Sequence, residues 1–421
     1  MVRYAGVYAK GMHDPVLIEL RLLGYNVIEH YQEHSIIVFT SLNLEEDSHP
    51  LPLCFVHQFQ LVGSYGVKGK HFNPIFECSK NTENSCRKRS NNFKKKHRVR
   101  DENAISEAAA ILKHHVDDFC EEYFKHLYKP WKIVCERQGD HAFSGEDICR
   151  LFGSVAHDKF KEAREKGVEM ANVSLKNNEV EIFIFVSHVD NKKTTETSIC
   201  YNEGTENHEQ PVDLWFFGIR NKLSIHARET ICDQKDLPST TNDSVAACMI
   251  ILTIEKYCLD QSLLFLDPMC GVGTIPSIFS RISKNLERYG FAIGSELDTN
   301  SVKISTQNTG CDKDIVLANT LKLPFRSELF DLIIVDPPWG HRHGKNHVIM
   351  KNMFRWMKEW TRVLKNGGIL GIVTIRTKQL SHEYESHFND GRGLELIDSV
   401  YFENSGMSQC CYFVFRKAQK L

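Results

Sequence analysis

The chain has 421 residues, and its 52 lysines and arginines against 54 aspartates and glutamates leave a formal charge of −2. That length predicts about two to four domains, and that balance excludes a uniformly basic surface, so contact with nucleic acid has to come from local patches. A 42% hydrophobic and 25% charged composition is that of ordinary soluble protein, and the 14 cysteines are scattered without a CxxC pair, as expected of reduced thiols in a cytosolic or nuclear protein. Nothing near the start resembles a signal peptide and no apolar run reaches membrane-spanning length, so no membrane partner is expected.

In chain order, Tyr4–Ala9 reads as a strand, and Asp14 as the cap of a helix through Val16, Leu17, Leu20, Leu22 and Leu23. Ser35–Thr40 and Leu53–Val67 are further strand signals, and this βαββ order is compatible with a ferredoxin-like layer. The run Arg87–Arg100, RKRSNNFKKKHRVR, is a basic insertion, open between a solvated loop, phosphate contact and nuclear import. Apolar positions at helical spacing follow over Ala104–Tyr128, then a strand at Trp131–Cys135, and then a helix led in by His141–Ser144. Val173–Leu175, Val180–Val186 and Leu214–Ile219 supply more strand. A helix over Ser244–Tyr257, capped by Asp243, leads into the last part of the chain.

That last part alternates strands and helices and carries two chemical motifs. Leu263–Thr274, LLFLDPMCGVGT, is a strand running into a glycine-bearing turn and a helix. Gly271 and Gly273 let backbone approach a ligand closely, and the helix opening near Thr274 presents free N–H groups. It lacks the third glycine of the dinucleotide fingerprint and the Gly-Lys-Ser/Thr of a P-loop. Strand two, Tyr289–Ser295, ends at Glu296, an acid placed to grip ribose hydroxyls; Asp298 competes for that role, and either acid could cap the helix Thr299–Asn308. Strand three, Asp314–Leu317, is followed by Asn319. The second motif, Phe330–Gly340, FDLIIVDPPWG, is a buried β-branched strand stopped by two prolines. Asp336 offers a carboxylate, Pro337 and Pro338 offer fixed carbonyls, and Trp339 offers a flat ring: an acceptor-lined slot for a planar group bearing NH2. A helix Val348–Leu364, a turn at Gly367-Gly368, strand five at Ile369–Ile375, and strands Leu394–Phe402 and Cys411–Phe415 complete the segment. The order requires an α/β, doubly wound Rossmann-like sheet with ligands at the strand C-termini. His341, His343 and His347 are close enough to suggest a metal, but no cysteine or carboxylate beside them completes a set, and no metal is expected.

Several of these motifs resemble known families. WKIVCERQGDHAFSGEDICRLFG followed by VSLKNNEVEIFIFVS resembles a THUMP domain, a small α/β RNA-binding module. DPMCGVGT resembles the cofactor loop of S-adenosylmethionine enzymes acting on RNA, and DPPWG resembles the D/N-P-P-aromatic motif of class I methyltransferases that modify exocyclic amines. Together they resemble the THUMP-domain RNA guanine-N2 methyltransferases. The resemblance implies three segments: an N-terminal ferredoxin-like region at 1–118 with the basic insertion, a THUMP domain at 119–222, and a methyltransferase domain at 223–421. It implies S-adenosylmethionine as cofactor, held by Asp267, Met269, Cys270, Gly271, Gly273, Thr274, Glu296, Asn319 and Asp336. It implies catalysis by Asp336, Pro337, Pro338 and Trp339. RNA contacts would fall on Arg137 and on the loop His341, Arg342, His343 and Lys345, with tRNA as the first substrate class and small nuclear RNA as the second. It also implies a small zinc-binding methyltransferase-activator protein as partner, docked on the catalytic domain where strand three leaves a bare apolar edge, and a cytoplasmic or nuclear location. Where the family has Asp, this chain has Asn319. The motif alone also admits adenine N6 or a protein glutamine amide as acceptor, or a non-catalytic RNA-binding relative.

Overall fold

A computed structural model describes residues 2–41, 51–67, 101–139, 141–189, 213–221, 241–258, 262–286, 289–309, 314–338, 346–375, 377–388, 393–403 and 409–419. The basic run 87–100 and the segment 339–345 lie outside them. Two compact units emerge: one takes Gly6–Gln58 together with 224–421, the other Val2–Ala5 with Phe59–Leu223. These units cut across the consecutive segments 1–118, 119–222 and 223–421.

At the N-terminus, β1 (Arg3–Val7) leads to α1 (His13–Leu22), β2 (Tyr25–Tyr31) and β3 (Ile36–Ser41). Asp14 lies in the first turn of α1 instead of capping it; the cap position is Met12, whose side chain makes no capping bond. β2, which alternation did not reveal, pairs antiparallel with β3 across a bulge between Val27 and Glu29. Glu19 is buried, and its carboxylate accepts from the backbone N–H groups of Leu53 and Cys54 at 2.7 and 2.8 Å. A buried charge satisfied in this way pins the chain that follows β3 to α1.

The second unit contains β4 (His57–Val67), α2 (Glu102–Phe124), β5 (Trp131–Gln138), α3 (Gly145–Glu165), β6 (Val180–His188) and β7 (Asp213–Asn221). Its strands run in the order β4-β7-β6-β5, with β5 and β6 parallel and the other pairings antiparallel. Ser144 and Asp147 form a reciprocal capping box at the start of α3, so the chain enters that helix at a defined point. Leu112, Val116, Phe152, Ile184, Trp215 and Phe217 fill the core between α2, α3 and the strands. Val173 makes a single parallel bridge to Trp131 in place of the expected strand.

The first unit continues with α4 (Asp243–Tyr257), β8 (Ser262–Asp267), α5 (Thr274–Asn285), β9 (Tyr289–Glu296), α6 (Thr299–Thr309), β10 (Ile315–Leu317), β11 (Phe330–Val335), α7 (Asn346–Val363), β12 (Leu364–Thr374), α8 (Thr377–His387), β13 (Leu394–Glu403) and β14 (Gln409–Lys417). The strands form one sheet ordered β10-β9-β8-β11-β12-β14-β13. From β10 to β12 every pairing is parallel; β14 runs antiparallel to β12 and to β13. This is the α/β doubly wound sheet expected, with an antiparallel flank. The cap of α4 is Asn242, whose Oδ1 accepts from Ser244 N–H at 2.9 Å, and not Asp243. The Gly367-Gly368 turn falls inside β12 as an irregularity: Phe330 faces Leu364 and then Leu332 faces Ile369, with Gly367 in the left-handed region at φ 77°.

Candidate active site

In an open parallel sheet ligands bind where the strands end, and β8, β9 and β11 end side by side. At the end of β8, Asp267 is 1% exposed and its Oδ1 accepts from Met269 N–H at 3.0 Å, which starts the turn. Cys270 N–H donates to Ser295 O and Ser295 Oγ donates to Pro268 O, both at 3.0 Å, so the turn is tied to the end of β9. Cys270 turns its thiol toward Ser305 Oγ, 3.8 Å away; it offers the site backbone and packing. Gly271 and Gly273 both have positive φ, 54° and 88°. A Cβ on Gly273 would lie 2.7 Å from Ser305 Oγ, whereas one on Gly271 would meet nothing within 4 Å. Gly273 is thus required by the fold, and Gly271 borders open space where a ligand can reach backbone.

Gly273 is also the cap residue of α5, so the first N–H groups of that helix point at the same space. Thr274, 2% exposed, has a buried hydroxyl without a hydrogen-bond partner. A positive helix end, a glycine cradle and an orphaned hydroxyl fit the anionic and polar end of an amino-acid-bearing nucleoside.

Glu296 ends β9. Its Oε2 accepts from Gly271 N–H at 3.0 Å and its Oε1 from Leu297 and Asp298 N–H at 2.8 and 2.9 Å. A carboxylate has about four lone-pair sites, so these three backbone bonds orient it and leave about one site, on Oε2, for a ribose hydroxyl. Asp298 is committed elsewhere, accepting from Ser301 N–H and Oγ at 2.8 and 3.0 Å as a cap of α6. Asn319 follows β10, and its Oδ1 already accepts from Leu321 N–H at 2.9 Å.

Asp336 follows β11, ahead of buried Pro337 and half-buried Pro338. Its Oδ2 accepts from the hydroxyl of Thr241 at 2.7 Å. Burial pushes the Asp267 carboxyl well above the usual range, and the charges of Asp336 and Glu296 push it further, against the opposing Met269 N–H. Burial and the nearby Asp336 likewise raise the Cys410 thiol to about 11. The carboxylates of two neighbouring strand ends therefore both act on Asp267, which favours a cationic ligand beside it.

Trp339, His341, Arg342, His343 and Lys345 lie outside the described residues. Arg137 sits on β5 in the other unit, half-buried, its guanidinium donating to Phe143 O. Among the described residues, no group of three His, Cys, Asp or Glu side chains could hold a metal ion, and no helix is long and apolar enough to cross a membrane. The bond between Thr241 and Asp336 is not visible in the sequence, where only a Thr-Thr run before a helix cap hints at it.

Residues 234–392 match the model of the RMKL-like methyltransferase domain family. The chain is 22% identical over 329 residues to a human protein named tRNA (guanine(6)-N(2))-methyltransferase THUMP3, covering 75% of this chain and 57% of that one. A Bos taurus protein named U6 snRNA (guanine-N(2))-methyltransferase THUMPD2 is 28% identical over 131 residues, 30% of this chain and 23% of that one. The chain spans about half the length of the curated mammalian tRNA relatives it matches. Among solved structures, TrmN from Thermus thermophilus superposes with a TM-score of 0.60 at 15% identity, over 99% of this chain and all of the other, and so shares its fold.

Proposed function

We propose, on the premise that residues 234–392 form an RMKL-like methyltransferase domain, that the chain methylates the N2 amine of guanine in RNA. tRNA is the first substrate class and a small nuclear RNA the second. The observation that carries this reading is the placement of Asp336 at the end of β11, where its carboxylate, like that of Glu296 at the end of β9, acts on Asp267 at the end of β8.

The amine of guanine is a poor nucleophile because its lone pair is delocalised into the ring. Accepting its two N–H bonds at the Asp336 carboxylate and the Pro337 carbonyl turns that lone pair toward the donor. Pro338 holds the backbone after it, and Trp339 stacks on the base, a contact worth about 1–3 kcal/mol. S-adenosylmethionine supplies the electrophilic methyl group. The Asp267–Thr274 turn, with Met269, Cys270, Gly271 and Gly273, receives its amino-acid end, Glu296 its ribose and Asn319 its adenine. Holding nucleophile and methyl in line accounts for much of the acceleration.

RNA phosphates fall to the loop His341, Arg342, His343 and Lys345, with Arg137 contributing from a THUMP domain over 119–222 and a ferredoxin-like region over 1–118. A small zinc-binding activator adds to the sheet at β10, and the chain acts in the cytoplasm or nucleus. The supporting observation for the activator is that β10 is the outermost described strand of its sheet, with Leu317 55% exposed and Phe291 of the adjoining β9 also exposed.

Asp336→Asn tests the chemistry. It should lower methyl transfer to RNA at least about 100-fold, since it removes a group aimed at the reacting amine, and weaken cofactor binding far less, since Asp267 and Glu296 remain. Full activity in that variant removes Asp336 from the reaction.

A further inference from the structure

The bond between Thr241 Oγ1 and Asp336 Oδ2, 2.7 Å long, joins side chains 95 positions apart. Thr241 lies just outside α4. The next residue, Asn242, is extended at φ −66° and ψ 132°, and its Oδ1 accepts from both Ser244 N–H at 2.9 Å and Ser244 Oγ at 2.7 Å. α4 itself is buried from Ser244 through Ile254, and Thr253 Oγ1 meets the hydroxyl of Tyr412 on β14 at 2.7 Å. Thr241 is therefore mounted on the end of a helix that cannot shift without repacking the unit. A threonine is stiff about χ1, whereas the χ2 of an aspartate is a broad, soft torsion. Where the two bond, the stiff partner sets the rotation of the soft one.

We infer that Thr241 is the positioning residue for Asp336: its hydroxyl fixes the plane of the carboxylate so that it meets the N–H bonds of the target amine. This rests on the role given to Asp336 above. Rotation about χ2 sweeps the accepting oxygens sideways, and a misplacement of about 1 Å costs on the order of 100-fold in rate. Thr241 and Asp336 are both half-buried, so losing the bond strands neither in an apolar core. A purely structural role would show as lost folding; a positioning role shows as lost rate in a folded enzyme.

The test compares Thr241→Val, which keeps the shape and loses the O–H, with Thr241→Ser, which keeps the O–H. Both are read on the full chain by single-turnover transfer from saturating labelled S-adenosylmethionine to cellular RNA. Thr241→Val should lose about 10–100-fold in rate, with cofactor and RNA affinities within about twofold, and Thr241→Ser should stay within about threefold. In an Asp336→Asn background Thr241→Val should add less than about a further twofold, because the residue it positions is already gone. A wild-type rate in Thr241→Val, an equal loss in Thr241→Ser, or an additive loss beside Asp336→Asn overturns the inference. Crystal structures of wild type and Thr241→Val decide it independently of turnover: the Asp336 carboxylate rotates in the variant, and an unmoved carboxylate refutes the idea. The identity of the labelled nucleoside is read separately, so label on a base other than guanine refutes the substrate and leaves the rate comparison standing.

Discussion

Asp267 carries the electrostatics of the site. Its carboxyl is raised by burial first and by Asp336 and Glu296 next. In the folded chain it keeps a proton that the unfolded chain releases near about pH 4, so its contribution to stability is present at low pH and fades as pH rises from there toward the folded value. A cation bound beside Asp267 favours its ionised form, so binding of the sulfonium cofactor should release a proton and tighten with rising pH. The demethylated product, whose sulfur is neutral, should respond less. Calorimetry in two buffers of different ionisation heat measures this; proton uptake on binding would show that the acids do not face the cation. The acids themselves were legible because each ends a strand before a turn or helix: Asp267 before DPMCGVGT's glycines, Glu296 after an apolar run, Asp336 before two prolines. Their mutual approach was not, since it depends on β8, β9 and β11 lying side by side. Nor was the Thr241 bond, which links a helix entrance to a strand end far along the chain.

At the scale of elements, β10 separates two uses of an apolar residue. Ile315 is 8% exposed, and its Cδ1 would touch a Cβ placed on Gly294 of β9; Leu317, at the strand end, is 55% exposed. Ile315→Lys should therefore cost stability, by about 3 kcal/mol or more, as an unpaired charge in a packed site. Leu317→Lys should leave the melting temperature within a few degrees and, if the proposed activator docks at this edge, abolish the gain in turnover and solubility expected from co-expression with it. Unchanged stimulation in Leu317→Lys would move the docking site away from this edge. The edge position of strand three followed from the usual order of such sheets, and the order found agrees. Other elements escaped reading for identifiable reasons. β2, YNVIEHY, mixes polar and apolar positions because most of it is at least partly exposed. α8 buries only Leu380, so it has no apolar stripe to detect. β12 starts at Leu364 because its first residue pairs with Phe330 before Gly367 bends it.

At the scale of the molecule, the beginning and end of the chain meet in one unit. α1 packs on α4, Glu403 N–H donates to Lys10 O at 2.9 Å, and Cys248 Sγ lies 3.7 Å from Cys54 O. This arrangement answers a problem visible in α4, which is apolar nearly all round and needs cover on more than one side. Periodicity could show that α4 is buried but not which distant segment buries it, so the N-terminal strands read as a layer of their own. Gly11 tests the junction. It has φ 94°, and a Cβ there would lie 2.2 Å from Tyr401 O on β13. Gly11→Ala should destabilise this unit by about 2–3 kcal/mol, combining a backbone clash with a left-handed conformation. Thermal unfolding measures it, and an unchanged midpoint would mean that the two ends do not hold each other.

Methylation of guanine N2 in RNA by the proposed slot at the end of β11 is read directly from the labelled nucleoside. Purified chain, alone and with the proposed activator, is incubated with total cellular RNA and methyl-labelled S-adenosylmethionine, and the RNA is digested to nucleosides and resolved. Label is expected in N2-methylguanosine and should be lost in Asp336→Asn. Label in N6-methyladenosine, or in protein glutamine with none in RNA, would contradict it.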